Sequence, residues 1–240
     1  SSKLVMGGGY ALKLPVIDVS EVGAGGGSIV RVDAGGALKV GPDSAGASPG
    51  PACYGAGGIE ATVTDANVVL GYLNPSALAG GSVPIQAELS RAALARVAEQ
   101  LGRDVLDVAH GVHRLANATM MRTVKAVSTY RDHDPRHVTL VAFDGNGGIH
   151  AAALAAELDM ARVIVPPGAG VFSAVGLLFA DFEVSHSLAW LHELEDGASN
   201  ALGAALAGLE DKVRGEMGRD LPVRLRWRAD LRYRGQGFEL

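Results

Sequence analysis

Two stretches in the middle of the chain have the hydrophobic spacing of amphipathic helices. Residues 88–100 carry apolar side chains three and four positions apart, and the Gly102 that follows Leu101 is typical of a helix C-cap. Asp104 then opens a longer stretch in which apolar residues form a single stripe. The pattern therefore predicts two consecutive helices within residues 87–131.

Residues 137–190 alternate between short apolar runs and helical spacing. The pattern predicts strands at 137–143, 162–165 and 182–190, with helices at 147–158 and 171–179 between them. Strands that are separated by helices of this length favour β–α–β units with parallel pairing. We therefore expect an α/β fold, with a mixed sheet and flanking helices.

The first 81 residues are a glycine-rich block of predicted short strands. Fifteen of the 33 glycines lie within the first 60 residues, but they follow no G-X-Y period, which excludes a collagen. Strands are predicted at 16–19 and 28–32, and residues 33–40 predict a strand, a tight Gly35-Gly36 turn and a return strand. Residues 41–60, with prolines among small residues, predict a loop that is either ordered or flexible.

The last part of the chain predicts one more amphipathic helix at 193–219 and strands at 223–228 and 230–234. The sequence ends within a segment that has strand character, so we expect it to be part of a longer polypeptide. The pattern divides the chain into three parts: a glycine-rich β part at 1–81, a helical and β–α–β part at 82–190, and a helix with the start of a β region at 191–240.

Composition and charge exclude several classes of protein. A chain of 240 residues with 48% hydrophobic and 20% charged residues has an ordinary globular composition, which argues against intrinsic disorder. The net charge of −5 provides no basic surface for nucleic acid, and no apolar run reaches the length of a membrane span. The single cysteine, Cys53, excludes an internal disulfide. We expect a soluble cytoplasmic protein that binds neither nucleic acid nor membranes.

The segment 140–151 is the first candidate for ligand binding. An apolar strand runs into the glycine-rich residues 145–148 and then into a helix, whose free N–H groups and positive end would hold an anion or the polar face of a nucleotide. Glycines would let the ligand approach the backbone closely. The alternative is a plain connection between a strand and a helix.

The segment 23–28, with three consecutive glycines between apolar strands, is the second candidate. It is consistent with a backbone nest that faces a ligand, or with a tight bend between strands. It lacks the Lys-Ser/Thr pair of a P-loop, and no helix follows it. The Asp33-Ala34-Gly35-Gly36 string invites comparison with a phosphate loop, but no Ser or Thr follows, so a hairpin turn is favoured.

Other polar residues give weaker signals. Asp65, within the predicted strand end at 62–67, is a helix N-cap or a site carboxylate, with the N-cap favoured. His110 and His113 are one histidine short of a metal site and are interpreted as packing or surface residues. Cys53 has no evident histidine base nearby and is not assigned as a nucleophile. His186 is interpreted as structural.

The sequence resembles the hydantoinase A/oxoprolinase family, and in particular the C-terminal part of its N-methylhydantoinase A-like ATP-binding subunits. The resemblance covers nearly the whole chain in the family's order. The strings that carry it are GAGGGSI at 23–29, VDAGG at 32–36, VGP at 40–42, SAGA at 44–47, PGPACYG at 49–55, TVTDAN at 62–67, HDPR at 133–136, AFDGNGGIHA at 142–151, PG at 167–168, GVFSA at 170–174, DLRY at 230–233 and GQ at 235–236.

The resemblance implies an actin/Hsp70/sugar-kinase-like ATPase fold. It also implies that this chain is the C-terminal half of an ATP-dependent hydantoinase/5-oxoprolinase-type subunit, which activates a cyclic amide, either a hydantoin or a lactam, for hydrolysis. The alternatives are the ATP-binding subunit of an acetone/acetophenone carboxylase-type enzyme and a non-catalytic nucleotide-binding assembly module. The family's two Asp-Gly-Gly-Thr-type phosphate loops are absent from this sequence, so the ligands of Mg²⁺ are expected outside it. The implied partner is a hydantoinase B-type subunit, in an oligomer.

No catalytic residue or metal ligand is assigned within the chain. The residues predicted to contact ATP are Gly25, Gly26, Gly27, Ser28, Gly145, Asn146, Gly147 and Gly148. One departure concerns Asp144, which stands where the family usually has Gly. A carboxylate at this position would repel a phosphate, or it would only cap the helix that follows.

Overall fold

A computed structural model of the chain describes residues 19–193, 198–218 and 222–236. By its internal contacts the chain divides into two compact units, Ser1–Leu178 and Phe179–Leu240. The strands are Ser28–Val32 (β1), Leu38–Ser44 (β2), Ala77–Leu78 (β3), Val83–Pro84 (β4), Thr139–Val141 (β5) and Arg162–Ile164 (β6). The α-helices are Val63–Val69 (α1), Ala87–Leu101 (α2), Val105–Val127 (α3), Asp144–Glu157 (α4), Phe172–Phe179 (α5) and Ala198–Met217 (α6).

Strands β1 and β2 form the predicted antiparallel hairpin. Asp33 fixes its turn, because its Oδ1 atom accepts hydrogen bonds from the amides of Gly35 and Ala37, both at 2.9 Å. Gly36 adopts a φ of +78°, which only glycine adopts without strain. The hairpin interpretation of this segment is therefore confirmed, and the Asp33 carboxylate belongs to the turn.

Helices α1, α2 and α3 pack together and bury the apolar core of the first unit. The predicted boundary between α2 and α3 is confirmed: Gly102 is the left-handed C-cap of α2, and the Asp104 side chain caps α3 by accepting from the amide of Leu106 at 2.7 Å. The apolar stripes of α2 and α3 meet the hairpin and α1. The buried residues of this core are Val30, Ala52, Ala61, Val63, Ala66, Val69, Ala93, Leu94, Val97, Ala98, Val108, Ala109, Val112 and Ala116.

The predicted strand end at 62–67 is wrong, because this segment begins helix α1. Thr62 is the N-cap and accepts from the Asp65 amide, while the Asp65 side chain accepts from the Thr62 amide, which completes a capping box. Asp65 is therefore the third residue of the helix rather than its N-cap.

Strands β5 and β6 are parallel and are joined through α4, so the predicted β–α–β unit is confirmed. β5 is shorter than predicted, because Pro135–His137 forms a short 3₁₀-helix in front of it. Helix α4 begins at Asp144, three residues before its predicted start. The glycine-rich segment 145–148 is therefore the first turn of a helix and not a separate turn.

The strands predicted at 182–190, 223–228 and 230–234 are wrong, since the structure assigns neither helix nor strand to these residues. Their alternating pattern lacks a neighbouring backbone ladder among the described residues, and large side chains such as Phe182 and Tyr233 are exposed. The mixed α/β class is confirmed, but the described strands form three separate two-stranded sheets rather than one mixed sheet. The helix predicted at 193–219 is found over Ala198–Met217, and most of the strand predicted at 16–19 lies outside the described residues.

Candidate functional site

The two glycine-rich segments predicted to bind a ligand meet in the structure. A methyl group placed on Gly26 would overlap Nδ2 of Asn146, in the first turn of α4, and would lie 2.8 Å from Oγ1 of Thr64 on α1. The Thr64 hydroxyl donates to the Gly26 carbonyl at 3.0 Å, and so does the Thr64 amide at 2.8 Å. Gly26 thus lies directly between α1 and α4, which explains why this position has no side chain.

The backbone of residues 25–28 is held by its carbonyl groups and keeps some of its N–H groups free. The carbonyls of Gly25, Gly26 and Gly27 accept from Ser28, Thr64 and Ala45, respectively. The amide of Gly25 donates to the Ser28 hydroxyl at 2.9 Å. The hydrogen bonds of the described residues leave the amides of Gly26 and Gly27 without an acceptor. These two amides are available as donors, and the role of the segment in ligand binding stays a prediction.

The predicted site residues differ in how they could contact a ligand. Gly25 and Gly145 have open space where a side chain would be, so a ligand can approach both. Asn146 is half-buried, and its carboxamide makes no hydrogen bond within the described part of the chain. Ser28 is buried and its hydroxyl accepts from Gly25, so it closes the loop rather than facing a ligand. The contact of each residue with ATP stays a prediction.

The start of α4 contains an unusual backbone position at Asp144. Its φ is +62°, in the left-handed region that a non-glycine residue enters at a cost of about 1 kcal/mol. The Asp144 carboxylate accepts from the Ser173 hydroxyl with both oxygens, at 3.1 and 3.0 Å. The carboxylate makes no side-chain cap hydrogen bond at the start of α4, so the interpretation of Asp144 as a helix cap finds no support in its contacts.

The alternative role of Asp65 as a site carboxylate finds no support in its contacts. Its side chain is fully buried and accepts five hydrogen bonds, from the amides of Ala52, Cys53 and Thr62 and from the hydroxyls of Thr62 and Ser90. Both oxygens are thus used within the fold. Burial, and secondarily the negative charge of Asp65, raise the pKa of the Cys53 thiol to about 12, so Cys53 is a poor nucleophile at neutral pH.

A buried cluster of histidine and asparagine side chains, which was not predicted from the sequence, joins α1, α3 and α4. His113 Nδ1 lies 3.0 Å from Asn67 Oδ1, and His150 Nδ1 lies 2.6 Å from Asn117 Oδ1. The two imidazole rings stack with centroids 4.8 Å apart, and the centroid of the Tyr72 ring lies 4.9 Å from that of His113. The interpretation of His113 as an ordinary packing or surface residue is therefore incomplete.

The donors at this site fit the polar face of a nucleotide, namely the free amides of Gly26 and Gly27, the first turn of α4 and the Asn146 carboxamide. A place for Mg²⁺ is not evident, because no group of three or more His, Cys, Asp or Glu side chains that could hold a metal ion occurs in the described ranges. Within the same residues, no helix is both long and apolar enough to cross a membrane.

The chain has an α/β fold, and its candidate site lies where the glycine-rich segment 25–28 meets the first turn of α4. Residues 2–186 match the family model for hydantoinase/oxoprolinase. The chain belongs to the hydantoinase/oxoprolinase family, and the resemblance seen in its motifs is confirmed.

Two curated relatives span the whole chain or nearly so. It is 39% identical over 240 residues to the uncharacterized protein MJ0964 of Methanocaldococcus jannaschii, covering 100% of this chain and 35% of that one. It is 37% identical over 238 residues to the caprolactamase subunit alpha of Pseudomonas jessenii, covering 96% of this chain and 34% of that one. The chain therefore spans about a third of the length of these relatives.

Two solved structures are similar to this fold. The nucleotide-free structure of acetone carboxylase, from a study of ATP-dependent acetone carboxylation, matches with a TM-score of 0.68 and 32% identity, over 81% of this chain and 29% of that one. The crystal structure of the ATP-dependent caprolactamase from Pseudomonas jessenii matches with a TM-score of 0.64 and 37% identity, over 90% of this chain and 33% of that one.

Proposed function

We propose that this chain forms the nucleotide-side part of a subunit that uses ATP to activate a cyclic amide for hydrolysis. The observation that carries the proposal is the contact between Gly26 and Asn146, which brings two glycine-rich segments and their free donors to one place. The ATP dependence of the caprolactamase and the acetone carboxylase that this chain resembles supports ATP as the ligand.

The chemistry explains why a cyclic amide needs ATP. An amide nitrogen is a poor leaving group and the carbonyl is weakly electrophilic, so ATP supplies the leaving group that an unactivated ring lacks. In phosphoryl transfer the protein contributes positioning and charge around the phosphates. The backbone amides of Gly26 and Gly27 and the Asn146 carboxamide are neutral hydrogen-bond donors and supply no positive charge. We therefore assign them to the nucleotide's polar face and place the ligands of Mg²⁺ outside this chain.

The wider context follows from the family. The proposal includes the actin/Hsp70/sugar-kinase-like ATPase fold for the full subunit, a cytoplasmic location and an oligomer with a hydantoinase B-type partner. The name of the caprolactamase relative, a subunit alpha, supports a partner subunit. The division of the chain at residues 81 and 190 also stays part of the proposal.

A second candidate function is a carboxylase subunit that acts on a ketone. The similarity to acetone carboxylase over 81% of this chain favours it. The two candidates are distinguished with the full-length subunit and its partner. ATP-dependent ring opening of a lactam supports the hydrolase, whereas ATP-dependent incorporation of labelled bicarbonate into a ketone supports the carboxylase.

We expect Gly26→Ala to weaken ATP binding about tenfold. The added methyl group would overlap the Asn146 carboxamide and press on the buried Thr64 hydroxyl, so it alters the place where the two glycine-rich segments meet. Calorimetric titration of ATP and adenosine into the wild-type chain and the variant measures the effect. A parallel phosphate-release assay is expected to show no turnover by this chain alone, since the phosphate loops are absent.

The matched control is Gly203→Ala, in helix α6, where a methyl group would meet open space. This variant should bind ATP as the wild-type chain does. Equal affinities of the wild-type chain and Gly26→Ala would contradict the assignment of this site, and so would an absence of ATP binding by the wild-type chain.

Asp144→Gly relieves the backbone strain at a φ of +62°, but it also removes the hydrogen bonds from Ser173 and raises the entropy of the unfolded chain, so we expect little net change in stability. The same change removes a carboxylate from the start of α4, so ATP affinity should rise about threefold while adenosine affinity stays the same. Asp132→Gly is the control, because Asp132 also has a positive φ, of +61°, but is exposed and lies outside the segments 23–28 and 144–148. A rise in ATP affinity in both variants would contradict a local effect of Asp144.

A further inference from the structure

The buried cluster at the junction of α1, α3 and α4 has no role in the function proposed above. His150 and Asn67 are almost completely buried, and one polar atom of each, His150 Nε2 and Asn67 Nδ2, has no hydrogen-bond partner within the described residues. Unsatisfied buried polar atoms are costly, so a cluster of this kind requires an explanation.

The hydrogen bonds fix where the protons lie. The oxygen of a carboxamide can only accept, so His150 Nδ1 donates to Asn117 Oδ1 and His113 Nδ1 donates to Asn67 Oδ1. Burial, and then the neighbouring His113, lower the pKa of His150 to about 4, which leaves the ring neutral at pH 7. Nε2 of His150 is then a buried acceptor and Nδ2 of Asn67 a buried donor, each without a partner among the described residues.

The same helices carry the residues that meet at Gly26. Asn146 precedes His150 by one helical turn on α4, and Thr64 precedes Asn67 by three residues on α1, so each pair lies along one face of its helix. Asn117 and His113 lie one turn apart on α3, between the other two helices. A shift of α4 relative to α3 would therefore move Asn146 away from Gly26.

We propose that His150 and Asn117 are positioning residues for the glycine-lined site. Their hydrogen bond, together with the stack of His150 on His113, holds α4 at the distance from α1 that places the Asn146 carboxamide against Gly26. This role rests on the proposed nucleotide site. It requires that the His150–Asn117 bond, rather than core packing in general, sets the affinity for ATP.

The first experiment compares ATP affinity among four variants by calorimetry, each below its unfolding temperature. His150→Leu and Asn117→Leu remove the bond and should raise the Kd for ATP about tenfold. His150→Asn retains a donor at the position of Nδ1 and should return the Kd to within about threefold of wild type. Leu94→Ala truncates a fully buried core residue of α2 and lowers stability without touching the cluster, so its Kd should not change.

The second experiment uses nitrogen NMR of the wild-type histidines, which does not require the leucine variants to fold. His150 is expected as the neutral tautomer protonated at Nδ1, and its ring signals should shift on ATP addition while those of the exposed His133 do not. The positioning role would be overturned by an Nε2-protonated tautomer of His150, or by His150 ring signals that do not shift when ATP binds.

The binding results separate this role from the proposed function. If the wild-type chain binds ATP and the leucine variants bind it equally well, the positioning role is wrong and the nucleotide site stands. A loss of affinity in Leu94→Ala as large as in His150→Leu also refutes it, because general destabilisation then explains both. If the wild-type chain binds no ATP, the proposed function fails and the positioning role fails with it.

Discussion

Asp65→Asn is expected to lower the free energy of unfolding by about 3 kcal/mol. The carboxylate accepts five hydrogen bonds in a fully buried position. An asparagine keeps one accepting oxygen, and its NH₂ group takes the place of the other. This NH₂ group then faces at least one backbone N–H group whose direction is fixed by the fold. If the NH₂ group replaces Oδ1, that N–H belongs to Cys53; if it replaces Oδ2, the amides of Ala52 and Thr62 are affected.

Denaturant unfolding monitored by circular dichroism measures this loss. Asp43→Asn is the matched control, because the Asp43 carboxylate pairs with Arg31 at 2.6 Å on the surface, where such pairs contribute about 0–1 kcal/mol. Equal losses for the two variants would show that the buried carboxylate contributes no more to stability than a surface ion pair.

The hydrogen bonds of Asp65 also help to shape the candidate site. Asp65 joins the 3₁₀-helix Ala52–Tyr54 to the start of α1, and the neighbouring Thr64 holds the carbonyl of Gly26. These contacts explain the buried Asp65 carboxylate, which has no cationic partner among the described residues. It fixes the helix end that shapes the glycine segment, while its own oxygens stay inaccessible to ligand.

Helices and strands that are determined by nearby residues, through hydrophobic periodicity, caps and turns, could be predicted from the sequence. Helices α2 and α3 combine a continuous apolar stripe with caps at Gly102 and Asp104, so periodicity and capping chemistry agree. The hairpin at Gly35-Gly36 and the parallel pairing of β5 and β6 also follow from short-range patterns. In contrast, 182–190 has the alternation of a strand but, among the described residues, no partner strand.

The candidate site was predictable only in part, because its geometry depends on contacts distant in sequence. The two glycine segments were identifiable one by one, but the contact of Gly26 with Asn146 spans more than a hundred residues. The histidine cluster was missed for the same reason, since each histidine pairs with an asparagine on another helix. The i, i+4 spacing of His113 and Asn117 on an otherwise apolar face was the one available signal.

The chain is expected to lose stability as the pH falls from about 6.5 to about 4, with His150 accounting for about 3 kcal/mol of the loss. Burial, and then the neighbouring His113, lower the pKa of His150 to about 4, from 6.5 in an unfolded chain. The pKa of His113 is lowered by burial and by His110 on the same helix, so it acts in the same direction.

The number of protons bound in the native and unfolded states determines the direction in which stability changes with pH. Between the two pKa values the unfolded chain binds a proton that native His150 does not, so the free energy of unfolding decreases as the pH decreases. The contribution is fully present above about pH 6.5 and is lost once the pH reaches about 4. Protonation of one ring also opposes protonation of the other, because their centroids lie only 4.8 Å apart.

Denaturant unfolding at half-unit pH steps gives the slope of the free energy of unfolding against pH. Carboxylates titrate in the same pH range, so the contribution of the histidine cluster is obtained from the difference in slope between the wild-type chain and its variants. His150→Asn should reduce the slope between pH 6.5 and 4 by close to one proton, whereas the control His133→Asn, which removes an exposed histidine, should leave it as in wild type. A slope that His150→Asn leaves unchanged would mean that native His150 is protonated as readily as in the unfolded chain. Such a result would contradict the neutral, buried ring on which the bond to Asn117 depends.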